Sequence, residues 1–265
     1  MFLRKSKDPL DYQNSNSSAA VMLKQYEAHF QINFHSHERA QLVYTTEGII
    51  ELSTENKWWI VPPRFGIWMP AGVQHKMFTK TEVVLNTLYI DTIQWQKDFP
   101  LMPCNVAISN LLHELLVRAS LFPIEYEQNS IEWKIIDLLV EELTWTEGIC
   151  LTFPKPNMDK RIQYLCRLLI ENPENNYSLD SLSKEVGTTP RTLTRLFKME
   201  LNTTYGLWRQ QLKIMSAIPL LIAGKSIGQV SHEIGYSSQS TFTAMFKRFM
   251  GKTPTEYMIW INHKK

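Results

Sequence analysis

The amino-acid sequence predicts an α+β chain of two domains: a β-rich N-terminal unit followed by helices, then an all-α C-terminal domain built on a repeat. Three observations predict it. The length, 265 residues with 44% apolar and 20% charged side chains, suffices for two ordinary cores. The hydrophobic pattern changes from short β-rich runs before Asp91 to a helical period after Asn105. The charge divides as well: residues 1–158 hold 13 Lys and Arg against 18 Asp and Glu, whereas residues 159–265 hold 15 against 8. The formal net charge of +2 is therefore the cancellation of −5 by +7, and a basic half points to a nucleic-acid partner.

Composition excludes other classes. The longest apolar stretches, such as 217–223, fall far short of the roughly 18 residues that a membrane span requires. The N-terminal MFLRKSKDPLDY is charged and has no apolar core of the kind a secretory leader needs. Cys104, Cys150 and Cys166 have no metal or redox spacing and read as reduced thiols, which suits a cytoplasmic protein.

In chain order, AQLVYTTE (40–47), IIELST (49–54), KWWIVPP (57–63), FGIWMP (65–70) and VVLNTLYID (83–91) read as strands, punctuated by Pro, Gly and Asn. Short, evenly spaced strands of this kind predict an antiparallel barrel or sandwich. Ile108, Leu111, Leu112, Leu115, Leu116 and Ala119 then form one helical stripe, and Ile131, Ile135, Leu138, Leu139 and Leu143 a second. The resulting division is a β-rich unit at 1–102, a helical segment at 103–147, a two-proline linker at 148–158, and the basic domain at 159–265.

Helix punctuation is dense in that last domain. Asp159, Ser178, Thr189, Ser226, Ser238 and Thr253 stand where N-caps belong. Pro190 and Pro254 fall at first helical positions, where a missing N–H costs nothing. A connector of about 20 residues, from Thr204 to Ala223, spans roughly 30 Å. Two stretches repeat, LDSLSKEVGTTPRTLTRLFK and IGQVSHEIGYSSQSTFTAMFK, with Val186/Ile234, Gly187/Gly235, Leu193/Phe242, Phe197/Phe246 and Lys198/Lys247 in matching places. Short helix, glycine turn and second helix is the helix-turn-helix layout, whose second helix enters the major groove. Two copies on one connector can address two grooves about one DNA turn, ~34 Å, apart.

Residues 159–260, through RTLTRLFK, WRQQLKI and above all GYSSQSTFTAMFKRFMGKTP, resemble the DNA-binding domain of AraC/XylS-type transcription regulators. The resemblance implies recognition helices at 190–199 and 239–249, with double-stranded DNA as partner. On the first, Arg191, Thr194, Arg195 and Lys198 would face DNA; on the second, Gln239, Ser240, Thr243, Ala244, Lys247 and Arg248. Arginine reads guanine bidentately, so the first helix is expected to dominate base discrimination. Lys247, Arg248 and Lys252 are expected to grip phosphates. Pro219, inside the connector, is expected to kink it.

In the acidic half, His35-Ser-His37, then Gln41 and Gly48, then Pro70-Ala-Gly72-Val-Gln-His75 resemble the two cupin motifs of a small β-barrel. His35, His37 and Gln41 stand at even spacings, which would put them on one face of a strand. Three histidines and an oxygen suit a divalent transition metal such as Zn, Ni, Fe or Mn. Gln41 replaces the motif's carboxylate and Arg64 its second glycine, so the alternative is a pocket whose histidines meet an organic ligand directly. Trp68, Tyr44 and Met69 are candidates to line that pocket.

By the same resemblance the helices at 105–146 would form a homodimer. The expected function is a DNA-binding transcription regulator controlled by a small molecule or metal, with RNA polymerase a further partner if it activates. The alternatives are a cupin metalloenzyme (a dioxygenase or isomerase) with an accessory helical domain, and a structural DNA-binding protein that senses nothing. The missing carboxylate and the repeat argue against the enzyme.

Overall fold

The computed structural model describes residues 8–146 and 148–262; most of the segment read above for a leader lies outside them. The chain divides into two compact units, Met1–Leu52 with Val61–Gly148, and Ser53–Ile60 with Ile149–Lys265.

The first unit opens with helix α1 (Pro9–Gln13), capped by Asp8. Strands β1 (Ala19–Tyr26), β2 (Gln31–His35), β3 (Ala40–Glu47), β4 (Ile50–Thr54), β5 (Lys57–Val61), β6 (Gly66–Met69), β7 (His75–Thr79), β8 (Val83–Ile90) and β9 (Cys104–Val106) follow. Helices α2 (Asn110–Ala119) and α3 (Ile131–Glu141) come next, then the short strands β10 (Trp145–Thr146) and β11 (Leu151–Thr152). The pairs β1–β8, β3–β8, β3–β6, β6–β9, β9–β10, β2–β7 and β5–β11 are antiparallel. They form two sheets, ordered β1-β8-β3-β6-β9-β10 and β11-β5-β4-β7-β2, and not one closed barrel. The sandwich arm of the expectation is the one realised.

Alternation gives the first sheet two working faces. Ala19, Val21, Leu42, Tyr44, Trp68, Leu88 and Ile90 point to one side and share a core with Leu112, Leu116, Ile136, Leu139 and Val140 of α2 and α3. Met22, Gln41, Val43, Leu85, Thr87 and Tyr89 point to the other, into a cavity. The helices at 103–147 thus share the core of the sheet. Their buried stripes are Leu112-Leu115-Leu116-Ala119 and Ile136-Leu139-Val140-Leu143; Leu111, Ile131 and Leu138, also on the stripes read from the sequence, are exposed. The 148–158 segment contributes β11, which pairs with β5; that pairing is why residues 53–60 group with the second unit.

The second unit contains α4 (Lys160–Glu171), α5 (Leu179–Glu185), α6 (Pro190–Leu201), α7 (Tyr205–Ile222), α8 (Ile227–Glu233), α9 (Gln239–Met250) and α10 (Pro254–Asn262). The expected caps Asp159, Ser178, Thr189, Ser226 and Ser238 accept from first-turn N–H groups, and Thr204 does the same for α7. The Thr253 hydroxyl accepts from the N–H of Glu256. α4 packs on α6, while α9 packs on α7, α8 and α10. The connector α7 has 18 residues, about 27 Å. Pro219 lies in its final turn and does not end it: the carbonyl of Pro219 still accepts from the N–H of Ala223 at 2.9 Å. Among the described residues no helix is long and apolar enough to cross a membrane.

Candidate nucleic-acid interface and histidine pocket

The two repeats fold alike, down to their turns. In the first, Gly187 N–H donates to the Lys184 carbonyl and Thr188 N–H to that of Ser183; in the second, Gly235 and Tyr236 donate to His232 and Ser231. Ser183 and Ser231 are each 2% exposed. Leu193, Leu196 and Phe197 anchor α6, and Phe242 and Phe246 anchor α9, all buried. Phe242 meets Phe246 edge-on at 5.6 Å, and Phe246 meets Tyr257 at 5.4 Å. The anchors leave the opposite helix faces to solvent.

Those faces carry the expected residues. Arg191, Thr194, Arg195 and Lys198 on α6 are exposed, as are Gln239, Ser240, Ala244, Lys247 and Arg248 on α9. Thr243 is half-buried. The Thr194 hydroxyl donates to the Pro190 carbonyl at 2.9 Å, and the Ser240 hydroxyl lies 3.0 Å from that of the cap Ser238. Among the described residues, none of the five cationic side chains on these helices forms an ion pair. Their charge is therefore available to phosphates and base edges.

In the first unit, His35, His37 and His75 converge, each offering one nitrogen within 4.8 Å of the others. His35 ends β2, His37 lies in the following turn and Gln41 stands on β3, so they meet through tertiary packing and not through one strand's alternation. The rings of His35 and His75 lie 4.4 Å apart, and His37 meets Tyr89 edge-on at 5.4 Å. Nδ1 of His75 faces the Val73 carbonyl at 2.9 Å and Nδ1 of His35 the Asn33 carbonyl at 2.8 Å. A proton on each Nδ1 satisfies these contacts and leaves Nε2 bare. Gln41, 3% exposed, then donates from Nε2 to Nε2 of His75 at 2.7 Å.

Burial, reinforced by the neighbouring imidazoles, pushes His37 down to about 4; burial does the same for His75 against an opposing hydrogen bond to Val73. Neutral imidazoles with anchored Nδ1 atoms fit a divalent transition ion, because ligand histidines are commonly held this way.

The histidines cap one end of a cavity of about 260 Å³. Its walls are largely apolar, including Met22, Ile32, Val43, Leu52, Met77 and Leu85. Lys24 and Tyr26 also line it, with the Lys24 ammonium 5.2 Å from the Tyr26 ring centre. Trp68 and Tyr44 do not: even-numbered β3 residues and Trp68 point into the helical core. Met69 is buried outside the lining. The residues missed were Lys24, Tyr26, Thr87 and Tyr89, whose i, i+2 spacing on β1 and β8 was a usable signal. Tyr44 instead makes a 2.6 Å hydrogen bond with Nδ1 of His113 on α2.

A family model described as a helix-turn-helix domain matches residues 182–258, the span from α5 into α10. The HTH-type transcriptional regulator NimR of Escherichia coli K12 is 28% identical over 224 residues, covering 84% of this chain and 81% of that protein. The arabinose operon regulatory protein of the same organism is 28% identical over 104 residues, 38% of this chain and 36% of that protein. The regulatory protein SoxS, also of E. coli K12, is 29% identical over 99 residues; these are 37% of this chain but 92% of SoxS. The 224 residues of likeness to NimR exceed the length of the helical domain and so continue into the N-terminal unit. Over most of its length the chain is thus similar to a helix-turn-helix transcriptional regulator, with the matched helix-turn-helix domain in its C-terminal half.

Proposed function

We propose that the chain is a one-component, effector-responsive regulator in which α6 and α9 read DNA and the histidine-capped cavity takes the effector. The observation that carries the DNA-reading assignment is the pair of repeated helices, each anchored by buried apolar residues and each presenting to solvent polar side chains and cationic ones that, among the described residues, form no ion pair. Arg191 and Arg195 discriminate bases, while Lys198, Lys247 and Arg248 hold the backbone; Gln239, Ser240, Thr243 and Ala244 add adenine and thymine-methyl contacts. The test is binding to a panel of duplexes. Arg195→Ala should lose about 1–3 kcal/mol of discrimination at one base pair, and Lys247→Ala should weaken all duplexes alike. Equal, sequence-blind losses from both would remove the division of labour.

For the effector, the apolar walls suit a small organic molecule, and the three histidines suit either its polar end or a metal. A metal would be held by His35, His37 and His75, with the Gln41 amide turned over so that its oxygen faces the ion and its nitrogen leaves Nε2 of His75, and it would supply a Lewis-acidic anchor. An effector switches the regulator only by binding one conformation more tightly than another. Elemental analysis and native mass spectrometry of purified protein test this; neither metal nor organic mass under any growth condition would count against an effector site. The same reading makes the chain no enzyme, since position 41 lacks the carboxylate of the cupin motif. It acts in the cytoplasm on its DNA, as a homodimer through the exposed Leu111, Ile131 and Leu138 of α2 and α3, with RNA polymerase as partner where it activates.

A further inference from the structure

The connector α7 does more than span a distance. Tyr205, Arg209 and Lys213 recur every four residues and so share one helix face. The Tyr205 hydroxyl donates to the Tyr177 carbonyl at 2.6 Å. The Arg209 guanidinium donates to the Asn175 carbonyl and, at 2.7 Å, to Oδ1 of Asn176. The Lys213 ammonium, on a residue only 4% exposed, donates to Oδ1 of Asn176 at 3.0 Å and to the Gly235 carbonyl at 2.8 Å. Nδ2 of Asn176 donates to that same carbonyl at 3.1 Å.

Asn175–Tyr177 is the segment that leads into α5, and Gly235 is the turn of the second unit. The node therefore joins the two helix-turn-helix units directly. On one side, Tyr205 touches Phe197, the anchor of α6, at 5.4 Å. On the other, the Lys213 ammonium sits 5.0 Å from the centre of the Tyr236 ring, and Tyr236 contacts Phe242, the anchor of α9, at 5.7 Å. The approach is close: at Gly235, with φ +72°, a Cβ would stand 2.0 Å from the Glu174 carbonyl oxygen. A confined cation without a carboxylate in hydrogen-bond contact costs desolvation. Two oxygens and an aromatic face at fixed positions offset that cost only while the two loops keep their mutual placement.

We propose that Lys213, with Asn176, is a positioning residue that locks the placement of α9 relative to α6 and thereby sets the base-pair spacing between the two half-sites the chain accepts. This rests on the tandem units reading DNA. One inserted base pair rotates the second half-site by a tenth of a turn, so a rigid reader tolerates it poorly and a loosened one tolerates it better.

The experiment uses the full chain. Wild-type protein selects duplexes from a random-sequence library, and the enriched duplex is remade with one and two base pairs inserted between its halves. For wild type, one inserted pair should cost about tenfold or more in affinity, the scale of a mismatch. Lys213→Met and Asn176→Ala should cut that penalty to about threefold or less while weakening the uninterrupted site, and Lys213→Arg should restore the wild-type profile. Asn176 is exposed, so its variant decides the matter if Lys213→Met fails to fold. Variants that follow the wild-type spacing profile would overturn the proposal and leave DNA reading intact. Failure of wild type to enrich any two-part site would remove the DNA-reading assignment, and this inference with it.

Discussion

At Gly48 the backbone turns through φ +79°, and a Cβ there would lie 2.0 Å from the Glu82 carbonyl oxygen. The motif glycine is thus required twice, by conformation and by space. Gly48→Ala should cost about 2–4 kcal/mol, read as a lower midpoint in thermal unfolding; an unchanged midpoint would mean the turn can shift at no cost. Arg64, which replaces the other motif glycine, keeps a left-handed backbone at φ +69° and donates to Oδ1 of Asn110 at 3.0 Å. The buried histidines carry a pH signature. His37 and His75 titrate near 4 in the folded chain against about 6.5 when unfolded. As pH falls, the unfolded chain takes up protons first, so their contribution is complete above pH 6.5 and drains away toward pH 4. Metal-free protein should melt at a lower temperature at pH 5 than at pH 7, and His37→Asn should narrow the gap. Caps and motif histidines were legible in the sequence because their chemistry is local. Tyr89, against His37, was not, because 52 residues of chain separate the two and only folding brings them together.

At the scale of elements, helix and strand types followed from periodicity, while the phase of the helical stripes did not always do so. On α3 the buried residues are Ile136, Leu139 and Val140, not Ile131 and Leu138. The run IIDLLV is apolar on nearly every side, so pattern alone cannot say which side meets the sheet. Leu139→Ala should cost about 2–5 kcal/mol as a fully buried truncation, whereas Leu138→Ala should change unfolding by less than about 0.5 kcal/mol. Similar losses at both, by denaturant titration, would contradict the assigned face. Pro219 bears on the connector. Because it sits in the last turn of α7, Pro219→Ala should restore one backbone hydrogen bond, to the Met215 carbonyl, and raise the melting temperature of the second unit. A decrease would show that the proline ring packs better than the bond it displaces.

Over the whole molecule, the division of charge has a structural counterpart: the cationic side chains exposed on α6 and α9 belong to the basic half. Binding to duplex DNA should fall steeply with salt, log K declining by about 0.9 per decade of salt for each phosphate neutralised. Removing Lys247 should lower that slope by about one contact. The tandem units were legible because a repeat doubles every weak local signal. The cavity was legible only at its histidines, since its walls come from six strands whose pairing no single segment encodes. The central claim, that one chain reads two half-sites through α6 and α9, is tested most directly by sequencing the duplexes that full-length protein retains from a random-sequence library. The account predicts two short conserved blocks about one helical turn apart; a single contiguous block, or no enrichment at all, would contradict it.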